Sequence, residues 1–255
     1  MRMTPNRRLV SGLAVAAAAT VLAGVASAGA GRHEAQLTVY AAASLTDALP
    51  KLDPAQRYSF GGSNTLAAQI TQGAPADVFA SANTSLPNQL YTSGVCSKPV
   101  VFTRNTLVMI VPRANPANIH TVYDLTRPGV KLDIAGGKVP VGGYTLQILR
   151  NMNLTAPVLA NVVSQETDVR EVLAKVALGE ADAGFVYSTD ARTASGKVKV
   201  LRLPAWAQPK VQYGICVVSR SPNKQDANTF VARVLSKRGQ AVLLSYGFLP
   251  RVKKR

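Results

Sequence analysis

An α/β fold with mostly parallel sheets is what this chain predicts, and three observations predict it. Short apolar runs alternate with stretches whose apolar residues recur at helical spacing. Small or glycine-rich turns follow several of the runs and lead directly into the helical stretches, the order that places helices against parallel strands. No internal repeat or low-complexity tract interrupts the alternation after the first residues. Of the 255 residues, about 225 remain beyond an N-terminal leader, enough for one large or two small domains with a sizeable core.

The leader comes first. Arg2, Arg7 and Arg8 form a basic stretch, residues 9–25 an apolar one, and Ala26-Ser27-Ala28 a small-residue cleavage site. This is the pattern of a secretory signal cleaved after Ala28. The apolar run, of about 17 residues rich in alanine and glycine, is short for a membrane span. Arg7-Arg8 fits a twin-arginine signal poorly, and Val25 stands where a lipidated cysteine would be. The chain is therefore expected outside the cytoplasm, in the periplasm or on the outer face of the membrane, without a lipid anchor.

The elements then follow in order. Residues 36–44 ("QLTVYAAAS") read as a buried strand, and 77–82, 106–112, 131–136, 183–188, 197–204 and 213–219 read likewise. After "TVYAAA" comes Ser44-Leu45-Thr46-Asp47, with Leu45, Ala48, Leu49 and Leu52 at helical spacing. After "YSFGG" come Ser63, Asn64 and Thr65, with Leu66 and Ile70 behind them. "KVPVGGY" leads into "TLQILRNM". Asp168 with Glu171 three residues on is an acidic capping box that makes Val169 the first helical residue, and Gly179 closes that helix.

Four helix N-termini preceded by tight turns have a chemical consequence. The first turn of a helix carries amides without intrahelical partners and the positive end of the macrodipole, so it accepts an anion readily. Taken singly, each of these starts is most simply an ordinary cap. In open α/β sheets, however, the loops at the carboxyl ends of the strands gather around one crevice. Several uncharged donor-bearing turns there make an anion site that needs no cation.

Other chemistries find little support. "GGSNT" lacks the Gly-Lys-Ser/Thr of a phosphate-binding P-loop, and Thr65 stands where a nucleophile elbow requires glycine. "GGKVPVGGY" lacks dinucleotide-binding spacing. His33 and His120 are the two histidines, too few for a histidine triad or a zinc site. No nucleophile–base pair or carboxylate pair emerges from spacing, so no enzyme is expected. The net charge of +16 becomes about +13 without the leader, from 26 basic and 13 acidic residues. The bases are scattered, apart from Arg251, Lys253, Lys254 and Arg255, and export argues against nucleic acid. A basic field of this kind raises the local concentration of small anions. Cys96 and Cys216 either pair in an oxidising compartment or remain buried thiols.

The blocks "VYAAASLTDAL", "SFGGSNTLAAQITQGAPADVFASAN", "NTLVMIVP", "VPVGGYTLQIL", "ETDVREVLAKVALGEADAGFVYSTDA" and "GQAVLLSYGF" resemble, in order, the molybdate-binding proteins of ABC importers. The resemblance runs from about residue 37 to 248. It implies a two-lobed type II periplasmic-binding-protein fold, with each lobe a mostly parallel sheet flanked by helices and the ligand in the cleft between them. Residues 37–103 with 215–255 would form lobe 1, and 104–214 lobe 2. It also implies a molybdate or tungstate dianion held without cationic side chains. Ser44 and Ser63 would come from lobe 1, and Val141, Val169 and Tyr187 from lobe 2. The serines would offer hydroxyls and amides, the valines backbone N–H groups, and Tyr187 its phenol.

The same resemblance implies no cofactor, no directly coordinated metal, a monomer, and a membrane permease with its ATPase as partners. A binding protein for another oxyanion such as sulfate is the alternative. One departure stands out: the segment between "AAASLT" and "SFGG" is short, and Pro50 within its helical run should shorten or kink the helix.

Overall fold

The computed structural model describes residues 34–251. The leader with its cleavage site, His33 and the basic residues after Arg251 lie outside the described residues. Ten strands and nine α-helices run in order: β1 (Thr38–Ala42), α1 (Ala48–Leu52), β2 (Arg57–Gly61), α2 (Ser63–Thr71), β3 (Val78–Ser81), α3 (Ser85–Thr92), β4 (Val100–Asn105) and β5 (Leu107–Pro112). Then come β6 (Leu132–Ala135), α4 (Pro140–Asn151), α5 (Thr155–Leu159), β7 (Val162–Glu166), α6 (Val169–Leu178), β8 (Ala183–Tyr187) and α7 (Ser188–Thr193). The described chain closes with β9 (Val198–Leu201), β10 (Val211–Val217), α8 (Lys224–Leu235) and α9 (Lys237–Ser245).

The strands make two sheets of the same design, ordered β2-β1-β3-β10-β4 and β7-β6-β8-β5-β9. In the first, β1 pairs in parallel with β2 and β3, and β10 runs antiparallel between β3 and β4. In the second, β6 pairs in parallel with β7 and β8, and β5 runs antiparallel between β8 and β9. Four strands of each sheet therefore point one way. The reversed strand is in each case the one by which the chain enters the sheet from the other. Thr106 alone separates β4 from β5, and residues 202–210 carry the chain back from β9 to β10.

The central strands are largely apolar because both of their faces are covered by helices, with Asp133 on β6 a buried exception. β3, β6 and β8 are buried at every residue. β4 and β7, which the periodicity did not single out, lie at sheet edges and mix polar with apolar residues. Pro50 falls inside α1, which is a helix of five residues. Cys96 and Cys216 form a disulfide, tying the segment before β4 to β10 within the first sheet. Among the described residues no helix is long and apolar enough to cross a membrane, and no cluster of histidine, cysteine and carboxylate side chains has the spacing of a metal site.

Candidate functional site

The parallel strands aim their carboxyl ends at the boundary between the two sheets. β1 runs into a 3₁₀ turn, Ala43–Leu45, that carries Ser44. β2 ends at Gly61, and Ser63 begins α2 one residue later. From the second sheet, β6 leads to α4, where Pro140 takes the first position and Val141 the second. Proline belongs there, since its fixed φ suits the first turn and the N–H it lacks would have no partner anyway. β7 leads to α6, whose first residue is Val169, and β8 ends on Tyr187. These five residues, named from the sequence, all line one cavity together with Gly62, Ala82 and Asp168. All five are almost completely buried.

The walls of this cavity are rich in hydrogen-bond donors. The first-turn amides of α2, α4 and α6 have no intrahelical acceptor. In α6, Asp168 caps the helix by accepting from Arg170 N at 2.7 Å and Glu171 N at 3.2 Å, which leaves the Val169 amide over. The acidic box reaches one residue further back than the spacing suggests: Glu171 Oε2 accepts from Thr167 N at 2.8 Å and Thr167 Oγ1 at 2.7 Å. The helix still starts at Val169, and Gly179 stops it at φ +78°, a conformation glycine adopts without strain.

Both serine hydroxyls already have a partner in the protein. Ser63 Oγ accepts from Ala82 N at 3.1 Å. Ser44 Oγ lies 2.9 Å from Tyr213 Oη, which lies 3.3 Å from Asn105 Nδ2. Tyr187 ends in the same cavity with its ring edge-on to Tyr213 at 5.6 Å. Its Oη is buried and has no hydrogen-bond partner in the protein. Burial raises the Tyr187 and Tyr213 phenols well above their ordinary range, so both keep their protons at neutral pH. A buried phenol proton with nothing to bind is costly unless a ligand accepts it.

No lysine, arginine or histidine is among the residues lining the cavity. Arg170, the guanidinium near its rim, is committed elsewhere. It donates to Asp47 Oδ2 at 2.5 Å, beyond the first-sheet turn, and to Asp190 Oδ1 at 2.6 Å, on α7. Asp190 is fully buried, and burial pushes its carboxyl up to about 7 against the opposing pull of Arg170. The one ionisable acid on the cavity wall is Asp168, whose carboxylate is occupied with helix amides. Burial, first, and neighbouring Glu171 raise its pKa.

The two sheets' loops meet at close quarters here. A Cβ built on Gly62, the residue before α2, would overlap the carbonyl oxygen of Thr167, just ahead of α6. The cavity beside that contact, which Gly62 also lines, has an accessible volume of only about 10 Å³, the scale of a single water molecule. A sugar, nucleotide or peptide has no room in it.

Sequence reasoning found the wall of the cavity and missed what stands behind it. Tyr213 belongs to a strand whose pattern looks like ordinary core and Asn105 to an edge strand that the periodicity did not single out, and nothing local sets either apart. Asn64 and Thr65, polar neighbours of Ser63, are not among the lining residues.

Residues 37–249 match the family model for bacterial extracellular solute-binding proteins. The chain is 36% identical over 222 residues to the molybdate-binding protein ModA of Mycobacterium tuberculosis, covering 83% of this chain and 84% of that one. It is 33% identical to the molybdate-binding protein ModA of Haemophilus influenzae, covering 84% of this chain and 90% of that one. Among solved structures, the periplasmic molybdate-binding protein of Azotobacter vinelandii shares the fold with a TM-score of 0.75 at 22% identity, over 85% of this chain and 100% of the other.

Proposed function

This chain belongs to the family of bacterial extracellular solute-binding proteins, and we propose that it captures molybdate, and tungstate with it, as a bare oxyanion for an ABC importer. The observation that carries the proposal is a cavity lined by neutral donors and no cation, its one carboxylate (Asp168) engaged by helix amides, in which the buried Tyr187 Oη lacks an acceptor. The chemistry of the ligand follows from that donor set. An unprotonated dianion can accept from the Ser44 and Ser63 hydroxyls, from the Val141 and Val169 amides, and from the Tyr187 phenol. The helix N-termini add favourable dipole ends without a mobile cation. Phosphate carries a proton at neutral pH and would need an acceptor in the wall. The curated relatives named for molybdate binding point the same way.

Residues 38–105 with 211–251, which carry the first sheet, act as one lobe and 107–201 as the other, a few residues from the expected bounds of 104 and 214, closing over the anion by hinge motion. The strand crossings at Thr106 and at residues 202–210 are where such a hinge would turn. The protein works as an exported monomer, released after Ala28, and hands its ligand to a permease with its ATPase. It binds without turnover, needs no cofactor, and holds molybdenum only as the oxyanion.

Isothermal titration with molybdate, tungstate, sulfate and phosphate in parallel tests the reading. Tight one-to-one binding of the first two, with sulfate weak and phosphate weaker, is the expected result. Binding of none of the four would overturn it, and sulfate binding as tightly as molybdate would transfer the site to a general dianion.

A further inference from the structure

We propose that Asn105 and Tyr213, which stand behind the cavity, are positioning residues that hold the Ser44 hydroxyl with its proton turned into the cavity and thereby favour unprotonated anions. The inference rests on the oxyanion reading of the cavity and names two specificity residues for it.

The direction of each hydrogen bond can be assigned. A backbone amide only donates, and Thr106 N donates to Asn105 Oδ1 at 2.9 Å. Ser188 Oγ donates to the same oxygen at 3.0 Å. The other terminus of the side chain is therefore the NH₂ group, which donates to Thr189 Oγ1 at 3.0 Å and to Tyr213 Oη at 3.3 Å. With an acceptor site of Tyr213 Oη taken up by Asn105, the phenol has its single proton left to give. Ser44 Oγ at 2.9 Å is its hydrogen-bond acceptor. Were Ser44 the donor instead, the buried Tyr213 proton would have no acceptor.

With one lone pair engaged by Tyr213, Ser44 turns its own proton toward the cavity it lines. Ser63 reaches the same state by a shorter route, accepting from the Ala82 amide at 3.1 Å. Both hydroxyls thus present hydrogen, with one of their two lone pairs already taken. An oxyanion without protons finds two donors, and a protonated one finds each hydroxyl with half of its acceptor capacity gone. Asn105 also ends β4 at the crossing between the sheets and contacts Ser188 and Thr189 of α7 from the second sheet. The relay is therefore held by groups from both sides of the cleft.

The test is a double-mutant cycle on anion preference. Affinities for molybdate, sulfate and hydrogen phosphate are measured at neutral pH for the parent, Tyr213→Phe, Ser44→Ala and the double variant, with phosphate read by competition. Tyr213→Phe frees the Ser44 lone pair, so the ratio of molybdate to phosphate affinity should fall about tenfold, the scale of one hydrogen bond to a charged group. On the Ser44→Ala background the same change should move the ratio less than twofold. An unchanged ratio in Tyr213→Phe, or an equal change on both backgrounds, would overturn the relay. Asn105→Ala supplies a second route: it opens Tyr213 Oη as an acceptor for Ser44 and should lower the ratio in the same sense. If the parent prefers sulfate to molybdate, the molybdate reading fails, while the sulfate-to-phosphate ratio still tests the relay.

Discussion

Gly62→Ala is the perturbation that probes closure most directly. Gly62 has φ −61° and ψ 127°, an extended conformation open to alanine, so the substitution adds no backbone strain. What it adds is one methyl group directed at the Thr167 carbonyl oxygen across the cleft. The obstacle is main chain at the start of α6, and it cannot rotate aside as a long side chain can. Forcing an extra methyl into such a contact costs about 1–3 kcal/mol. Most of that cost falls on the closed arrangement, where the two loops meet, because the other close atom, the Asn64 side-chain oxygen at 3.0 Å, can turn aside, so it should appear in affinity. The expected loss is between about fivefold and 150-fold in molybdate binding, taking about 1.4 kcal/mol as a factor of ten. Titration calorimetry gives the affinity, and thermal unfolding with and without ligand separates closure from folding. The unliganded Tm should stay within a degree or two, while the ligand-induced rise shrinks with the affinity. An alanine variant that binds within twofold of the parent would refute the claim that this contact gauges closure.

Three further outcomes follow from particular groups. Tyr187→Phe removes a buried donor without a protein partner, so it should cost molybdate affinity about tenfold to a hundredfold while leaving the unliganded protein equally or more stable, as calorimetry and denaturant titration will show. Asp133 is wholly buried on β6 with neither carboxylate oxygen partnered, and burial, with Glu166 beside it, pushes its carboxyl up to about 7. The folded state thus holds a proton that the unfolded chain releases near its ordinary pKa of about 4. Stability contributed by this group is lost as pH rises from about 4 through 7. Asp133→Asn should therefore match the parent near pH 4 and exceed it by a few kcal/mol at pH 8 in urea melts; equal differences at both pH values would contradict the assignment. Reducing Cys96–Cys216, which closes a separation of 120 residues, should remove about 4–5 kcal/mol by the chain-entropy estimate and lower Tm on the order of 10 °C. Neither cysteine lines the cavity, so affinity at 25 °C should be unchanged, and a lost affinity would place the disulfide's role elsewhere.

Much of the cavity wall was legible in the chain because its signals are local. Val169 as a helix start depends on Asp168 and Glu171 within three residues of it, and the stop at Gly179 needs only a residue tolerant of positive φ. Central strands such as β3 and β8 announce themselves as continuous apolar runs because both their faces are covered. β4 and β7 did not, since an edge strand has one neighbour and a partly wet surface, and its strand character comes from the ladder it joins. The shortness of α1 was expected from Pro50, whereas the pairing of Cys96 with Cys216 stayed open until β10 was seen between β3 and β4.

The sequence by itself determined the alternation of strand and helix, the small and glycine-rich turns that free amides at four helix starts, and the absence of a cation beside them. These are properties of short spans, set by spacing, caps and side-chain chemistry. Only the tertiary structure decided that Ser44, Ser63, Val141, Val169 and Tyr187 share one cavity, that Gly62 touches Thr167, and that Asn105 and Tyr213 stand behind Ser44. Those relations join residues 105 to 169 positions apart, or sit on separate sheets. They exist because two sheets crossed at Thr106 turn their carboxyl ends toward each other, and no local pattern encodes which loops will then meet.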